Sequence, residues 1–317
     1  MDYTNELIYD WVSITSKIHT PEQMIEMLGL PISSFSLTRG AHGYKDRLYW
    51  QFISVHFNGS PEQGVWLELS GRGCRAFEEY GTGDYEYLFQ TVIDAGNQMK
   101  ITRLDIAFDD RTGILDIDAL IRDTLSGYYV AKAKSWECIQ SSKGTSVVIG
   151  SRQSPVLIRI YDKAAEQELL NAHWIRCELQ LRDDRCMEFV KLSCEFGQAF
   201  AGVLVNYLRY VEPDEDDENK WRWPLADYWA ELIGDAIRQR IYKKPGCEYT
   251  VRRCEEYVYN QAGNAIDALL QIYDVDVFMA KLRERKSKPS PKYNAIINEN
   301  YCWADVILDL AGEDSND

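Results

Sequence analysis

ITRLDIAFDD (residues 101–110) alternates apolar and polar side chains with period two. Successive side chains of a strand point to opposite faces, so Leu104, Ile106 and Phe108 share one side and Arg103, Asp105 and Asp109 the other. Three further stretches repeat the pattern: VWLELSG (65–71), PVLIRIYDK (155–163) and WIRCELQLR (174–182). They add Val65, Leu67, Leu69, Val156, Ile158, Ile160, Ile175, Cys177, Leu179 and Leu181 to the apolar face. They add Glu68, Arg159, Tyr161, Lys163, Arg176, Glu178 and Arg182 to the polar one. Such a sheet reads as a chemical surface built on a packed scaffold.

The segments around these strands fix the fold class. LIYDWVSI near the start reads as a strand, and TPEQMIEMLGL as a helix with Thr20 as N-cap and Pro21 at its first position. RLYWQFISVHF reads as one strand, with Asn58-Gly59 turning toward the strand of Glu68. Residues 72–99 read as helical, broken by GTGD, and ILDIDALIRDTLSG as an amphipathic helix. TSVVIG, SRQSP and VLIRIYDK form a hairpin, and AAEQELL a helix before the 174–182 strand. From Met187 onward the pattern is helical, through PLADYWAELIGDAIRQRIY, TVRRCEEYVYNQAGNAIDALLQIY and CWADVILDLAG. The expected class is α+β, an antiparallel sheet with connecting helices followed by a helical C-terminal region. The acidic run EPDEDDE (212–218) is the expected boundary between a domain over 1–211 and a helical region over 220–317.

The 45% hydrophobic and 27% charged content is that of a globular protein. No apolar run is long enough to span a bilayer, and MDYTNELIYDWVSI lacks the pattern of a secretory signal, so a cytoplasmic protein is expected. The eight cysteines include no CxxC pair and the four histidines are scattered, which argues against a Cys/His zinc site. The net charge of −15 argues against wholesale coating of nucleic acid but allows a local basic site.

A phenol is a weak nucleophile at neutral pH, and nearby cations or a metal can stabilise its phenolate. Arg159 and Lys163, beside Tyr161, suit a developing phosphorane. Glu68, Asp105 and Glu178 would repel one another if close, and Mg²⁺ or Mn²⁺ would relieve that while polarising a phosphate. Each element also has a plainer reading. A strand tyrosine packs, strand carboxylates pair with arginines, and Arg176, Glu178 and Arg182 could form a cross-strand ladder. Spacing alone leaves these open.

The order of motifs resembles the replication initiation factor family, which includes rolling-circle plasmid initiators and relaxases of conjugative elements. The matching pieces are DWVSI, ELSGRGCRAFE, TRLDIAFDD, IGSRQSPVLIRIYDKAAEQE, WIRCELQLR and, more loosely, TVRRCEEYVYNQAGNAIDALL. The resemblance implies a site-specific, metal-dependent DNA nickase. Tyr161 would become joined to the 5′ phosphate at the nick, with Arg159 and Lys163 assisting. The free 3′-OH would prime synthesis by the host polymerase and helicase machinery. Asp105, Glu178 and then Glu68 would hold the divalent cation, with Asp109 in reserve. Origin DNA would be held by Arg103, Arg152, Arg176 and Arg182, and by Arg252, Arg253, Lys281, Arg283, Arg285 and Lys286 of the C-terminal region. A homodimer through the apolar helix faces is expected. An inactive DNA-binding member and a phosphodiesterase that uses water as nucleophile are the alternatives.

Overall fold

The structure, a computed structural model, describes residues 4–142, 144–169, 172–192, 194–238, 258 and 263–284. Its chain order is β1 (Glu6–Ser16), α1 (Pro21–Glu26), β2 (Ser36–Arg39), β3 (Asp46–Trp50), β4 (Ile53–Phe57), β5 (Val65–Leu69), α2 (Gly71–Tyr80), α3 (Tyr85–Asp94) and β6 (Met99–Asp110). There follow α4 (Ile117–Leu125), β7 (Tyr129–Ala131), β8 (Trp136–Ser141), β9 (Gly144–Ile149), β10 (Val156–Asp162), α5 (Lys163–Glu166) and β11 (Ile175–Arg182). Then come α6 (Asp184–Val190), α7 (Phe196–Tyr207), β12 (Leu208–Tyr210), α8 (Asp227–Arg238), α9 (Gly263–Ile272) and α10 (Val275–Arg283).

Ten strands form one antiparallel sheet in the order β2-β3-β4-β5-β1-β6-β11-β10-β9-β8. Strands β7 and β12 pair separately. The fold is α+β, as the alternation implies. Leu104, Ile106, Phe108, Ile158, Ile160, Cys177 and Leu179 are buried on one face, in one core with Phe77, Leu88, Leu120, Phe200 and Trp229 of the helices. Each large side chain buried there contributes about 1.5–3 kcal/mol, so the four alternating segments anchor the scaffold. The other face carries the polar set.

The structure corrects several local expectations. RLYWQFISVHF is a hairpin, not one strand: Gln51 and Phe52 both have positive φ (43° and 66°), the geometry of a tight two-residue turn. That turn lacks the usual Asn-Gly, which is why the sequence hides it. The short strands β2, β7, β8 and β12 were not expected. β10 ends at Asp162, whose side chain accepts from Ala165 N and caps α5, so Lys163 opens a helix. The α1 N-cap is as expected, with Thr20 and Gln23 in a reciprocal capping box.

The chain divides into two compact units, Met1–Lys243 and Lys244–Asp317. The boundary thus lies beyond the acidic run expected to mark it. Trp229, Leu232 and Ala236 of α8 are buried in the first core, so α8 belongs to the sheet domain. Among the described residues no helix is long and apolar enough to cross a membrane.

Candidate functional site

The polar face is organised in cross-strand rows. Asp109, Arg176, Tyr161 and Ser146 form one row over β6, β11, β10 and β9. Ala107, Glu178, Arg159 and Val148 form the next. Asp105, Gln180 and Leu157 form a third, and Arg103 and Arg182 a fourth. The period-two reading therefore does bring Tyr161, Arg159, Glu178 and Asp105 to neighbouring positions on central strands. A groove of about 720 Å³ lies over these rows, lined in part by Tyr161, Arg159, Glu178, Arg103, Arg182 and Arg152.

Tyr161 is only 3% exposed. Its cover is cationic: the Arg159 guanidinium lies 3.8 Å from the ring centroid and the Lys163 ammonium 5.5 Å. Both cations also meet Glu166, Arg159 at 3.8 Å and Lys163 in a close ion pair. Burial, and then the charge of Glu178, push the phenol well above its ordinary value; Arg176 and Arg159 pull the other way. Among the described residues the hydroxyl makes no hydrogen bond. The resting site holds a neutral phenol beneath two basic side chains.

Arg176 was expected to contact DNA. It is 4% exposed and bound inside the protein: Nε and Nη2 donate to Asp109 at 2.7 and 2.8 Å, and Nη1 pairs with Asp10 at 2.8 Å. These two carboxylates outweigh the cost of burial and hold the guanidinium charged. Asp109, the reserve ligand, is thereby committed to Arg176. The role of Arg176 in the fold is to brace β11 against β6 and β1, next to the phenol.

Asp10 was missed by the sequence reading. Tyr9 pairs with Ile106 and Trp11 with Asp105, which leaves Asp10 as the extra residue of a β-bulge. The bulge turns both Asp10 and Trp11 toward the polar face, and a strict period of two cannot reveal it. A Cβ at Gly71 would lie 2.8 Å from Asp10 Oδ1, so the glycine that opens α2 leaves room for this carboxylate.

The acids divide into two sets. Glu178 is pushed up to about 7 by burial, then by Asp105 and Asp10, against the pull of Arg159 and Arg176. Among the described residues it has no hydrogen bond or ion pair. Asp105 is buried and pushed up as well, although Arg103 binds it through Nε and Nη2 (3.0 and 2.6 Å) and Gln180 donates at 3.1 Å. Glu68 does not join them. It stands on β5 opposite Ser13 and Ser54, with all of β1 between it and Asp105. Among the described residues no three acids, histidines or cysteines already form a metal cage. The donor chemistry nevertheless fits a hard cation. Glu178 is an unpaired acid raised by burial and then by two acidic neighbours, whose field a divalent cation would relieve.

Arg103 and Arg182 stand in the groove, Arg182 donating to Gln180 at 2.9 Å, and Arg152 is exposed in the loop between β9 and β10. Lys281 and Arg283 are exposed at the end of α10. Arg252, Arg253, Arg285 and Lys286 lie outside the described residues.

Residues 99–284 match the family model "Replication initiation factor", and residues 6–90 match "Rolling Circle replication initiation protein N-terminal domain". The chain is 26% identical over 260 residues to the Bacillus subtilis (strain 168) protein named "Putative DNA relaxase NicK", covering 74% of this chain and 73% of that one. It superposes with a TM-score of 0.70 on the rolling circle replication initiator protein of Geobacillus stearothermophilus, at 29% identity, covering 76% of this chain and 99% of the other. The alternating strands, the ten-stranded sheet and these likenesses agree, and the chain belongs to the replication initiation factor family.

Proposed function

We propose that this protein nicks one strand of an origin DNA through Tyr161, starting rolling-circle replication or transfer of a mobile element. The observation that carries this reading is that Tyr161, Arg159 and the unpaired Glu178 share one groove on the sheet. The Tyr161 hydroxyl gives its proton to solvent as its oxygen attacks the scissile phosphorus, the P–O3′ bond breaks, and the 5′ phosphate becomes an ester of the tyrosine. The released 3′ oxygen takes up a proton and is free to prime a polymerase. Arg159 leaves the face of the ring to meet the phosphate, which uncovers the nucleophile and stabilises the charge on the phosphorane. Lys163 follows from Glu166. Arg103 and Arg182 hold flanking phosphates, which makes binding salt-dependent.

Glu178, with Asp105 and Asp10, would hold a divalent cation once Arg103 turns from Asp105 to DNA. A bound cation would supply charge that offsets the acids beside the phenol and polarises a phosphate. With Glu178 neutralised, Arg159 and Arg176 would lower the phenol from the high value that burial sets. The exposed Ile272 and Val275 of α9 and α10 support a homodimer contact.

Incubation with supercoiled origin DNA and Mn²⁺ should give a covalent protein–DNA band that Tyr161→Phe abolishes. No band from the wild type, or a band that persists in the variant, refutes this reading. The burial of Tyr161 favours a second one, in which water is the nucleophile. It predicts cleavage that survives Tyr161→Phe and fails in Glu178→Gln.

A further inference from the structure

The polar face does not end at the groove. Beyond β6 it continues over β1, β5, β4 and β3 through rings and guanidiniums that the nicking chemistry does not use. Trp11 stands opposite Asp105, with the Arg103 guanidinium 4.0 Å from its ring centroid. Arg103 also pairs with Ser13, and the row runs on through Glu68, Ser54 and Tyr49. The next row holds Thr15, Trp66, His56 and Arg47. Direct cross-strand partners share a face, so these side chains stand opposite the helices. His56 stacks on Trp66 at 4.6 Å and 20°, and the Arg47 guanidinium lies 4.8 Å from the Tyr49 centroid. Trp11, Tyr49 and Trp66 each keep part of the ring open to solvent.

His56 adds an independent sign. It is 3% exposed, and its Nδ1 is buried with no hydrogen-bond partner. Burial, then Arg47 and His42, push it down to about 4, so the ring is neutral at pH 7. A buried polar atom left unpaired is costly and calls for an explanation. The edge of a bound base would supply the missing partner.

We propose that this half of the sheet is a stacking platform for single-stranded DNA, with bases on Trp11, Tyr49 and Trp66 and phosphates on Arg47 and Arg103. Interleaved rings and cations match the alternation of base planes and phosphates along an unpaired strand. Continuity with the groove fixes the occupant. Arg103 belongs to both, and Trp11 stands beside it. Trp66 lies four strands across from Tyr161 and nine residues along β6 (Lys100 against Asp109), about 35 Å away at ~4.8 Å per strand and ~3.3 Å per residue. A strand held at Tyr161 would meet Trp11 first and Trp66 farther along the same polar face. The proposal rests on the nicking reading for the identity of the strand, but its binding needs no nick.

The test uses the full chain and two fluorescein-labelled probes, an oligothymidylate of about twelve nucleotides and an abasic deoxyribose-phosphate tract of equal length. Wild type should bind the thymidylate at least ~5-fold more tightly. Trp11→Ala and Trp66→Ala should each lose most of that preference and leave the abasic affinity unchanged, while Trp66→Phe keeps it. Equal affinity of wild type for the two probes overturns the platform, and so does a tryptophan change that weakens both probes alike. The wild-type comparison stands whether or not the variants fold. A covalent adduct without base preference sinks the platform alone; base preference without an adduct sinks the nicking reading alone.

Discussion

Glu178→Gln keeps the shape of the side chain and removes its charge, leaving Asp105 and Asp10 without a third acid. In the native protein Glu178 is raised from 4.5 to about 7, by burial first and then by those two neighbours. A carboxyl raised by folding binds its proton more tightly in the native state than in the unfolded chain. Its contribution to stability is fully present below pH 4.5 and is lost as the pH rises through about 7. At 1.36 kcal/mol per pH unit the whole interval sets an upper bound of roughly 3 kcal/mol, and partial solvent access at the groove brings the expected loss to roughly 1–3 kcal/mol. Glutamine carries no such penalty. The variant should therefore melt with wild type at pH 4.5 and higher than wild type at pH 8, by roughly 2–10 °C for a unit of this size. Mn²⁺ at pH 8 should raise the melting temperature of wild type and not that of the variant, because the cation replaces the lost proton. Nicking should fail in the variant although it is the more stable protein. Differential scanning fluorimetry from pH 4.5 to 8, with and without Mn²⁺, reads all of this except the nicking. A variant that melts lower at pH 8, or by a margin independent of pH, refutes the argument.

Arg176→Met should destabilise the protein by about 3–5 kcal/mol in urea unfolding, because it leaves the buried Asp109 without its cation and strips a partner from the half-buried Asp10; Arg176→Lys should restore only part, since an ammonium cannot make the paired bonds to Asp109. Arg159→Ala should slow adduct formation by roughly 10²-fold in single-turnover assays while changing DNA affinity far less. Glu166→Gln frees Arg159 and Lys163 together, so fluorescence anisotropy should show tighter origin binding with a steeper salt dependence.

The four alternating segments made the central strands legible because burial on one face forces a period of two. Leu104, Ile106 and Phe108 announce β6, and the same logic assigns Asp105 to the polar side. Strand order was not legible, because it depends on which edges pair. That is why Glu68 could be grouped with Asp105 and Glu178 although β1 separates them. The bulge at Asp10 was hidden for a related reason: an extra residue breaks the alternation and looks like noise. The partner of Arg176 was equally invisible, since a buried arginine and a DNA-binding one have the same place in a strand pattern. The α8 boundary was misread because an acidic loop resembles a linker, while Trp229 and Leu232 fasten the helix after that loop to the core.

The charge of the groove ties binding to chemistry. Its lining sets Arg103, Arg152, Arg159 and Arg182 against Glu137, Asp162, Glu166 and Glu178, so the arginines and carboxylates balance. A phosphate chain entering it meets as many anions as cations, and counterion release alone gives little affinity. Two features of the sheet offset this. Glu178, held near pH 7, loses its charge to either a proton or a cation, and each favours a nearby phosphate. The rings of Trp11, Tyr49 and Trp66 offer contacts that owe little to net charge. A chain with a net charge of −15 can then hold a nucleic acid, provided the strand is unpaired and the acids beside Tyr161 are neutralised. In the proposed chemistry, the neutralisation of the acids that lets the groove hold a phosphate chain also lowers the barrier to the phenol's attack.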